Sequence, residues 1–428
     1  MYVFLTGATG FIGGAVLRAL LLRGHTVTCL VRGRSADQLE AQELHGVRVV
    51  RGEFIRPETW VRHVAGHDAV INCVGMIRES KRAPFVEVHR RAPIALFEAA
   101  SNAGVSKVIQ VSAAGADAHA PSRYSRSKWG ADQRLVEIGV PYVIFRPSIV
   151  YGNESYSMRL FLAMAAQPIT PVPGDGEYQL QPIHVDDLVR AILIALEEPG
   201  ISNVIVEAGG AEPLSFHRLL DELARWLGRK KGAWKVPIPW LVMRLMARAG
   251  EFLGDRALIN RDELEMLRRG NRTDNTIFFE QFGFEPVPLR TGLARISRSE
   301  EVRWRAGLAF LRLPLRLAIA FVWIYTGIVS AFVYPVEDSL KMLERTGLTG
   351  IMASLALYSA SLVDAVLGLA LLFGLRIRLV GWLQLLVMVG YTVILSFRMP
   401  ELWLHPFGAL SKNVVFLMAT LVLMALED

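Results

Sequence analysis

The fold of this chain is decided by the stretch Thr6-Gly7-Ala8-Thr9-Gly10-Phe11-Ile12-Gly13, which follows a short apolar run at residues 2–5. Glycines let the backbone turn tightly and approach a pyrophosphate, and a helix that starts there offers free N–H groups and its positive dipole end. An amphipathic run at 11–22 and a second strand-like run at 26–31 complete the context. The pattern predicts a dinucleotide-binding turn, the alternative being a turn with a structural role only. The candidate cofactor contacts in it are Thr6, Gly7, Thr9, Gly10, Phe11, Ile12 and Gly13.

The residue after the second strand indicates which dinucleotide is bound. An NAD site usually places Asp or Glu about twenty residues beyond the glycines, on the ribose 2′-hydroxyl. Here Arg32 stands in that place, Arg34 follows, and the first carboxylate is Asp37. A guanidinium suits a 2′-phosphate, which it binds through two hydrogen bonds. The sequence therefore favours NADP over NAD, with Arg32 as a contact. The alternative is that both arginines are solvated loop charges.

The first 150 residues alternate short β-rich runs with helical runs, which is typical of a doubly wound, Rossmann-like parallel sheet with crossover helices. The candidate strands are 3–6, 26–31, 47–51, 69–73, 107–112 and 142–146, and candidate helices include 93–103, 185–196, 216–227 and the stretch 241–270. We expect a nucleotide-binding core over residues 1–150. A smaller substrate-side lobe with its connection follows over 151–304.

The C-terminal part carries long apolar runs with few charges, at 308–333, 351–373, 379–397 and 414–426. The first three have the length that a bilayer demands, and the last needs its upstream portion, from about residue 403, to span. These runs lack the polar stripe of a soluble amphipathic helix. Residues 305–428 are therefore predicted to form an all-α domain of four transmembrane helices.

The loop charges predict the orientation of these helices. Seven arginines precede or begin the first run, against Glu300 and Glu301, and Arg376 and Arg378 stand between the second and third runs. The seven are Arg290, Arg295, Arg298, Arg303, Arg305, Arg312 and Arg316. The positive-inside rule then places the N-terminal domain and the C-terminus in the cytoplasm, with the protein in an inner or plasma membrane. These arginines account for much of the net charge of +7. The basic charge is therefore expected to face anionic lipid headgroups and does not indicate a nucleic-acid partner.

The N-terminus and the cysteines narrow the class further. The apolar run at 2–5 is too short for a signal peptide. Cys29 and Cys73 fall inside strand-like apolar runs, which indicates buried thiols in a reducing compartment. No metal site is predicted.

Tyr124 and Lys128 form the second chemical signal. Residues four apart lie on one face of a helix, so the hydroxyl and the ammonium can flank one ligand. A nearby cation favours phenolate, so Lys128 is expected to lower the pKa of Tyr124 and to make it a general acid/base. Lys128 can also hold the ribose hydroxyls of a nicotinamide nucleotide.

Further blocks accompany this pair: Asn72-Cys73-Val74-Gly75, Val111-Ser112, Phe145-Arg146-Pro147-Ser148-Ile149-Val150-Tyr151-Gly152, Pro173-Gly174-Asp175-Gly176 and Pro182-Ile183-His184-Val185-Asp186-Asp187. Over about residues 1–300 the chain resembles the short-chain dehydrogenase/reductase superfamily, in its extended and atypical branches. The resemblance implies that Ser112 polarises a substrate carbonyl, that Tyr124 shuttles the proton and that Lys128 binds ribose. The further cofactor contacts that it implies are Asn72, Val74, Gly75, Pro147 and Ser148. His184 is expected to be a structural histidine at a helix start.

The chain is also similar to the atypical branch that includes the accessory NADPH-binding subunit of respiratory complex I, where the resemblance implies a structural cofactor. Ser112 and Tyr124 are twelve residues apart, a shorter connection than in sugar-nucleotide epimerases of the extended type. This spacing and Arg32 weigh against a sugar nucleotide. Ser122 is the alternative polarising residue.

The apolar C-terminal part resembles the four-helix DoxX-like proteins through Val322-Trp323-Ile324-Tyr325-Thr326-Gly327, Asp364, Gly368, His405-Pro406-Phe407-Gly408 and Lys412-Asn413. That resemblance suggests a quinone partner. A carboxylate within a span, such as Asp364, pairs inward or marks a path for protons or ligand. The two interpretations are a functional site and a helix–helix hydrogen bond with Gln384.

These observations predict a membrane-anchored NAD(P)H-dependent oxidoreductase that acts on a carbonyl or hydroxyl substrate, with an apolar substrate such as a lipid or quinone. The partners expected are that small molecule, the bilayer, and a membrane protein or a second copy of the chain. The first alternative is a non-catalytic NADPH-binding redox sensor or assembly subunit of a membrane complex. The second is an NAD-dependent sugar-nucleotide epimerase/dehydratase.

Overall fold

Seven strands of the N-terminal part form a parallel sheet in the order Val204–Ala208, Tyr142–Pro147, Lys107–Val111, Ala69–Asn72, Tyr2–Thr6, Thr26–Val31 and Val47–Arg51. The computed structural model describes residues 1–80, 83–153, 155–229, 232–253 and 260–427, and for residues 249–253 it describes the backbone only. The strands in it are β1 (Tyr2–Thr6), β2 (Thr26–Val31), β3 (Val47–Arg51), β4 (Ala69–Asn72), β5 (Lys107–Val111), β6 (Tyr142–Pro147), β7 (Val150–Tyr151), β8 (Ile169–Pro173), β9 (Gln179–Leu180), β10 (Ile183–His184), β11 (Val204–Ala208), β12 (Leu214–Ser215) and β13 (Trp234–Ile238). The predicted doubly wound sheet is confirmed.

Twelve helices accompany these strands: α1 (Phe11–Leu22), α2 (Arg34–Glu40), α3 (Ala92–Asn102), α4 (Arg123–Ile138), α5 (Tyr156–Ala166), α6 (Val185–Glu197), α7 (Phe216–Trp226), α8 (Trp240–Leu253), α9 (Arg261–Arg269), α10 (Thr276–Phe282), α11 (Leu289–Arg295) and α12 (Glu300–Leu308). Short 3-10 turns lie at Pro57–Thr59 and Val61–His63, and a π-helical segment at Val86–Arg91 leads into α3. The predicted helical stretch 241–270 contains α8 and α9, and its residues 254–259 lie outside the described residues.

The sheet is covered on both faces, because alternate residues of each strand point to opposite sides. Val3 and Leu5 pack with α1 and α6 on one face. Phe4 points to the other face, where it packs with residues of α3 and α4 such as Leu96 and Leu135. The edge strand β11 was not predicted, and its parallel register against β6 extends the sheet beyond the six predicted strands.

A smaller lobe forms a second apolar core. Side chains of α5, α7 and α11 pack together there, with Phe216, Leu219 and Leu223 of α7 almost fully buried. The chain as a whole divides into two compact units, Met1–Ala306 and Gly307–Asp428.

The second unit is helical: α13 (Arg312–Ile328), α14 (Val336–Arg345), α15 (Gly350–Leu372), α16 (Ile377–Arg398) and α17 (Ser411–Leu426), with a π-helical extension of α13 at Val329–Val333 and a 3-10 turn at Pro400–Trp403. Within the described residues, three helices are long and apolar enough to cross a membrane, at Arg312–Val333, Gly350–Leu372 and Ile377–Arg398. α13 and α15 pack closely, since a Cβ on Gly327 would lie 2.6 Å from the Ser361 carbonyl oxygen and one on Gly368 2.8 Å from the Ile324 nitrogen.

The fourth predicted span is shorter than expected. α17 begins at Ser411 and has 16 residues, so the portion upstream of it does not extend the helix as predicted. Gly408 adopts a left-handed φ of 64° and Pro406 lacks a backbone N–H, and both interrupt a helix between residue 403 and Ser411.

Candidate functional site

The glycine turn between β1 and α1 forms a cradle without side chains. Gly7 has a φ of 80°, and its carbonyl oxygen accepts a hydrogen bond of 2.9 Å from the Gly10 nitrogen. A Cβ on Gly13 would lie 2.1 Å from that same oxygen, and one on Gly7 would lie 2.8 Å from the Cys73 carbonyl carbon. The first turn of α1 begins with Phe11 and Ile12, whose side chains pack on the apolar core. The turn thus fits a pyrophosphate, as predicted for this position.

A cleft of about 680 Å³ opens along this turn. It is lined by Thr6, Gly7, Thr9, Gly10, Leu30, Val31, Arg32, Gly52, Glu53, Phe54, Ile55, Arg56, Cys73, Val74, Gly75, Met76, Ala83 and Val88. Arg32 therefore lies at the cleft, whereas Arg34 is not among the lining residues. Arg56 brings a second guanidinium, which forms an ion pair of 3.1 Å with Glu53. Arg56 was not predicted as a site residue, because no sequence pattern indicates which residue after β3 lines the cleft.

The side chains of Thr6 and Asn72 are fully buried and hold the ends of β1 and β4 together. The Thr6 hydroxyl donates to Asn72 Oδ1 at 2.6 Å, and the Val74 nitrogen donates to the same oxygen at 3.1 Å. Asn72 Nδ2 donates to Gln110 Oε1 at 2.7 Å. Both residues shape the cradle, and it is the Val74–Gly75 segment after them that lines the cleft.

Lys128 lies beneath this segment. Its ammonium donates to the carbonyl oxygens of Val74 at 3.2 Å and of Val111 at 3.0 Å, so it joins the ends of β4 and β5. A Cβ on Gly75 would lie 3.3 Å from Lys128 Nζ. Burial lowers the pKa of Lys128 to about 8, although the carboxylate of Asp132 acts in the opposite direction. A buried cation close to the cleft can bind the hydroxyls of a nucleotide ribose.

Tyr124 is buried among aromatic rings. Its ring meets those of Phe85 and His89 edge to face, with centroid distances of 5.8 and 5.2 Å. Burial raises the pKa of Tyr124 to about 12, and the Asp132 carboxylate contributes in the same direction. The expectation that Lys128 lowers this pKa is wrong for the free protein, because desolvation dominates and the ammonium is bound to backbone carbonyls.

His89 fixes the surroundings of Tyr124 through a chain of hydrogen bonds. The Met76 nitrogen donates to His89 Nε2 at 3.1 Å, which leaves the proton on Nδ1, 3.1 Å from the Ser127 hydroxyl. Ser127 in turn donates to the Tyr124 carbonyl oxygen at 2.6 Å. Burial lowers the pKa of His89 to about 2, so this ring stays neutral. No sequence pattern indicates this role, because His89, Met76 and Ser127 lie on three separate segments of the chain.

Ser112 lies at the end of β5, where its hydroxyl donates to Asp132 Oδ2 at 2.8 Å. The same oxygen accepts a 3.0 Å hydrogen bond from Arg146 Nε. Asp132 is fully buried, and it was not among the residues predicted from the sequence. In this arrangement the Ser112 hydroxyl serves the packing of α4 on the sheet rather than the cleft.

The remaining predicted residues lie around the joint between the sheet and the smaller lobe. Pro147 ends β6 and is buried, and the Ser148 hydroxyl donates to the Gln181 carbonyl oxygen. Ser122 caps α4 by accepting a 3.1 Å hydrogen bond from the Ser125 nitrogen. His184 caps α6 in the same way through Nδ1 and Asp186, as expected for a structural histidine.

Helix α9 covers the Tyr124 site. Met266 packs in the apolar cluster that contains Tyr124 and Phe85. Two residues of the core hold the start of α9. Arg78 forms an ion pair with Glu263 at 2.8 and 3.1 Å. The Arg123 backbone nitrogen donates to Asp262 Oδ1 at 2.7 Å, and the Arg123 guanidinium lies 3.6 Å from Asp262 Oδ2. Asn260 and Glu263 form a reciprocal capping box there.

An apolar cavity of about 110 Å³ lies between α5 and α9. It is lined by Ile77, Ile149, Tyr156, Ser157, Leu160, Phe161, Leu180, Glu263, Met266, Leu267 and Asn271. The only charged residue among them, Glu263, is held by Arg78. Met266 lines this cavity and also packs against the cluster that contains Tyr124, whereas Tyr124 itself is not among the lining residues.

Comparison with known proteins agrees with this geometry. Residues 3–209 match the NAD dependent epimerase/dehydratase family, and residues 320–421 match the DoxX-like family. The N-terminal domain is an epimerase-type NAD-dependent domain. It lies within the described unit that contains the glycine cradle, Tyr124 and Lys128.

Two curated relatives and one solved structure illustrate the range of similar epimerase-type proteins. The "NADH dehydrogenase [ubiquinone] 1 alpha subcomplex subunit 9, mitochondrial" of Arabidopsis thaliana is 27% identical over 66% of this chain and 74% of its own. The "Ceramide reductase" of Caulobacter vibrioides is 27% identical over 56% and 75%. A nucleoside-diphosphate-sugar epimerase of Staphylococcus aureus superposes with a TM-score of 0.57 at 17% identity, covering 68% of this chain and 99% of its own, and shares the fold.

The chain is therefore an NAD(P)-dependent oxidoreductase of the short-chain dehydrogenase/reductase and epimerase type, and it carries a DoxX-like membrane domain. Among the described residues, no group of three or more His, Cys, Asp or Glu side chains is placed to hold a metal ion.

Polar groups are also buried in the membrane domain. Asp364 Oδ1 and both amide atoms of Gln384 are buried without a hydrogen-bond partner among the described residues. The hydrogen bond between Asp364 and Gln384 considered from the sequence is thus not formed. Trp323 Nε1 is buried and unpaired in the same unit.

Proposed function

We propose that this protein is an NADP(H)-dependent oxidoreductase that interconverts an apolar carbonyl compound and its alcohol at the cytoplasmic face of an inner or plasma membrane. The observation that carries the proposal is the apolar cavity of about 110 Å³, which shares Met266 with the apolar cluster that contains Tyr124. A sugar diphosphate needs cationic or hydrogen-bonding groups, whereas this cavity offers mainly aliphatic and aromatic side chains. The similarity to a ceramide reductase supports an apolar substrate.

The residues assigned to the cofactor are those of the cradle and the cleft. Gly7, Gly10 and Gly13 leave room for the pyrophosphate, and the N–H groups of the first turn of α1 bind it. Arg32, with Arg56 nearby, suits the 2′-phosphate of NADP. A bound nicotinamide supplies the hydride or accepts it.

Tyr124, Lys128 and Ser112 are assigned to the chemistry. Tyr124 gives a proton to the carbonyl oxygen in the reductive direction, a role that a neutral phenol with a raised pKa can fill. Lys128 binds the nicotinamide ribose through its ammonium, which lies at the ends of β4 and β5. Ser112 orients the carbonyl, which requires its hydroxyl to leave Asp132 when substrate is bound.

The proposal is tested with the full chain in nanodiscs, by following NADPH oxidation with long-chain ketones, a quinone and a sugar nucleotide. We expect turnover with one of the apolar compounds. Tyr124→Phe should abolish it and leave the affinity for NADPH unchanged. Turnover restricted to the sugar nucleotide, or full activity of Tyr124→Phe, would overturn the proposal.

The cofactor choice has its own test. Arg32→Ser removes one charged hydrogen-bonding group, so we expect NADPH affinity to fall by about tenfold to a hundredfold and NADH affinity to change little. Fluorescence titration of both nucleotides measures this. Equal losses for NADPH and NADH would show that Arg32 does not contact the 2′-phosphate.

Two observations favour a second function: the Ser112 hydroxyl donates to Asp132, and Met266 packs against the cluster that contains Tyr124. Both would suit a non-catalytic NADPH-binding subunit of a membrane complex, in keeping with the similarity to the complex I subunit. This alternative predicts a nucleotide that stays bound during purification and no turnover with any ketone or quinone.

A further inference from the structure

Helix α8 exposes apolar side chains on one face. Leu241, Val242, Leu245 and Met246 are 69%, 42%, 55% and 54% exposed. Their spacing places them on one side of the helix. The opposite side is already used, because Met243 and Ala247 are buried against Leu264 of α9. α8 therefore has two apolar faces, of which only one has a partner among the described residues.

This face differs from an exposed apolar residue that stands alone. Leu22 at the end of α1 is 88% exposed, and no other apolar residue of α1 is exposed beside it. Single exposed apolar side chains are ordinary, whereas four on one helix face indicate a binding surface.

The charges around the face are basic. Arg244 and Arg248 are exposed on α8 and lie along one edge of the apolar stripe. On the neighbouring α9, Arg268 places its guanidinium 5.7 Å from the ring centre of Trp240. Glu265, also on α9, forms an ion pair of 3.4 Å with Arg244. An apolar stripe bordered by arginines suits anionic lipid headgroups above acyl chains.

We propose that this face of α8 lies in the interface of the lipid bilayer, and that the N-terminal unit contacts anionic lipid through it. The bilayer is the favoured occupant because the same chain carries three helices that can cross it, at 312–333, 350–372 and 377–398. A surface tethered in this way needs only weak intrinsic affinity to stay bound.

The contact has a consequence for substrate access, and this part rests on the proposed function. α9 packs on α8 and carries Met266 and Leu267, which line the apolar cavity. With α8 in the interface, the helix that lines this cavity packs directly on a helix that contacts lipid. The substrate class this favours is a lipid that enters from the membrane rather than from water.

The contact is tested in the full chain. Cys29 and Cys73 are first replaced, so that Leu245→Cys introduces a single cysteine. This cysteine is then labelled with an environment-sensitive fluorophore. The matched control is Leu22→Cys, which is apolar and more exposed but stands alone. Both proteins are reconstituted in nanodiscs of equal parts phosphatidylcholine and phosphatidylglycerol, with and without doxyl-labelled acyl chains. We expect severalfold stronger doxyl quenching at position 245 than at 22, and weaker quenching at 245 without phosphatidylglycerol.

Two results would overturn the proposal. Equal iodide quenching at both positions would mean that α8 is in water. Protection of position 245 from iodide without doxyl quenching would mean that a second copy or another protein covers the face. Neither readout depends on turnover, so a failure of the proposed reaction is seen separately. The access route predicts that Leu245→Glu raises KM for a long-chain ketone and not for a short, water-soluble one.

Discussion

Gly13 controls the cradle at the residue scale. A methyl group at this position would lie 2.1 Å from the Gly7 carbonyl oxygen, which is backbone and can move only by displacing the turn. We expect Gly13→Ala to lose at least about tenfold in nucleotide affinity, because the N–H groups of the first helical turn no longer converge. Titration with NADPH measures the loss. Gly200→Ala is the control, since nothing lies within 4 Å of the Cβ there.

The neutral state of His89 predicts a pH dependence of stability. Its pKa is about 2 in the folded protein against 6.5 as the ordinary value, so below pH 6.5 the unfolded chain binds a proton that the folded one does not. This contribution to stability is complete above pH 6.5 and decreases as the pH falls toward 2, by about 1.4 kcal/mol per pH unit.

His89→Gln retains a donor and an acceptor without the titration. We expect the first thermal transition of the full chain to fall less steeply between pH 6.5 and 4.5 in this variant than in the unchanged protein. Parallel curves would show that His89 is protonated or exposed in the folded state.

For individual residues, position in the fold could be predicted from the sequence, whereas pKa values and hydrogen-bond partners could not. The glycine turn and Arg32 could be placed at a cofactor cleft from local pattern and spacing, and they line it. The pKa of Tyr124 could not be predicted, because it depends on Phe85 and His89, which close around the phenol only in the folded chain. Asp132 lies one turn beyond Lys128 on the same face of α4, so the spacing of four could have indicated it. Its hydrogen bond with Ser112 could not be predicted, because it depends on how α4 packs against the end of β5.

At the scale of elements, α9 depends on its ion pairs with the core. Glu263→Gln keeps a capping side chain but removes the charge that binds Arg78. Because both side chains are partly exposed, we expect a loss of about 1 kcal/mol or less, and up to roughly fivefold faster hydrogen exchange in peptides from α9. Glu265→Gln, on the same helix, is the control, and an equal effect in both variants would contradict the role of the Arg78 pair.

The elements themselves were largely predictable, and their contacts were not. The period of apolar residues placed six of the seven sheet strands and α1, α6 and α7 within a residue or two. The position of α9 over Tyr124 could not follow from pattern, because Arg123 and Asp262 are 139 residues apart. The seventh strand, β11, is an edge strand whose place is set by pairing with β6.

At the scale of the whole molecule, the length of α17 matters for topology. At about 1.5 Å per residue its 16 residues measure roughly 24 Å, less than the hydrocarbon core of about 30 Å. We expect it to cross nonetheless, with local thinning of the bilayer, and so to place the C-terminus in the cytoplasm.

Fusions test this in a bacterial host. Alkaline phosphatase joined after Arg345 should be active, and a green fluorescent protein joined to the C-terminus should fluoresce. Phosphatase activity from a C-terminal fusion would mean that the chain crosses three times only.

The two hydrogen bonds that Lys128 donates to Val74 and Val111 have a consequence for how its variants are interpreted. The ammonium joins the ends of β4 and β5, so it is part of the sheet as well as the proposed ribose ligand. Replacing Lys128 would remove a donor from two backbone carbonyl oxygens. A loss of nucleotide binding in such a variant would therefore combine a change in the sheet with the loss of a direct contact.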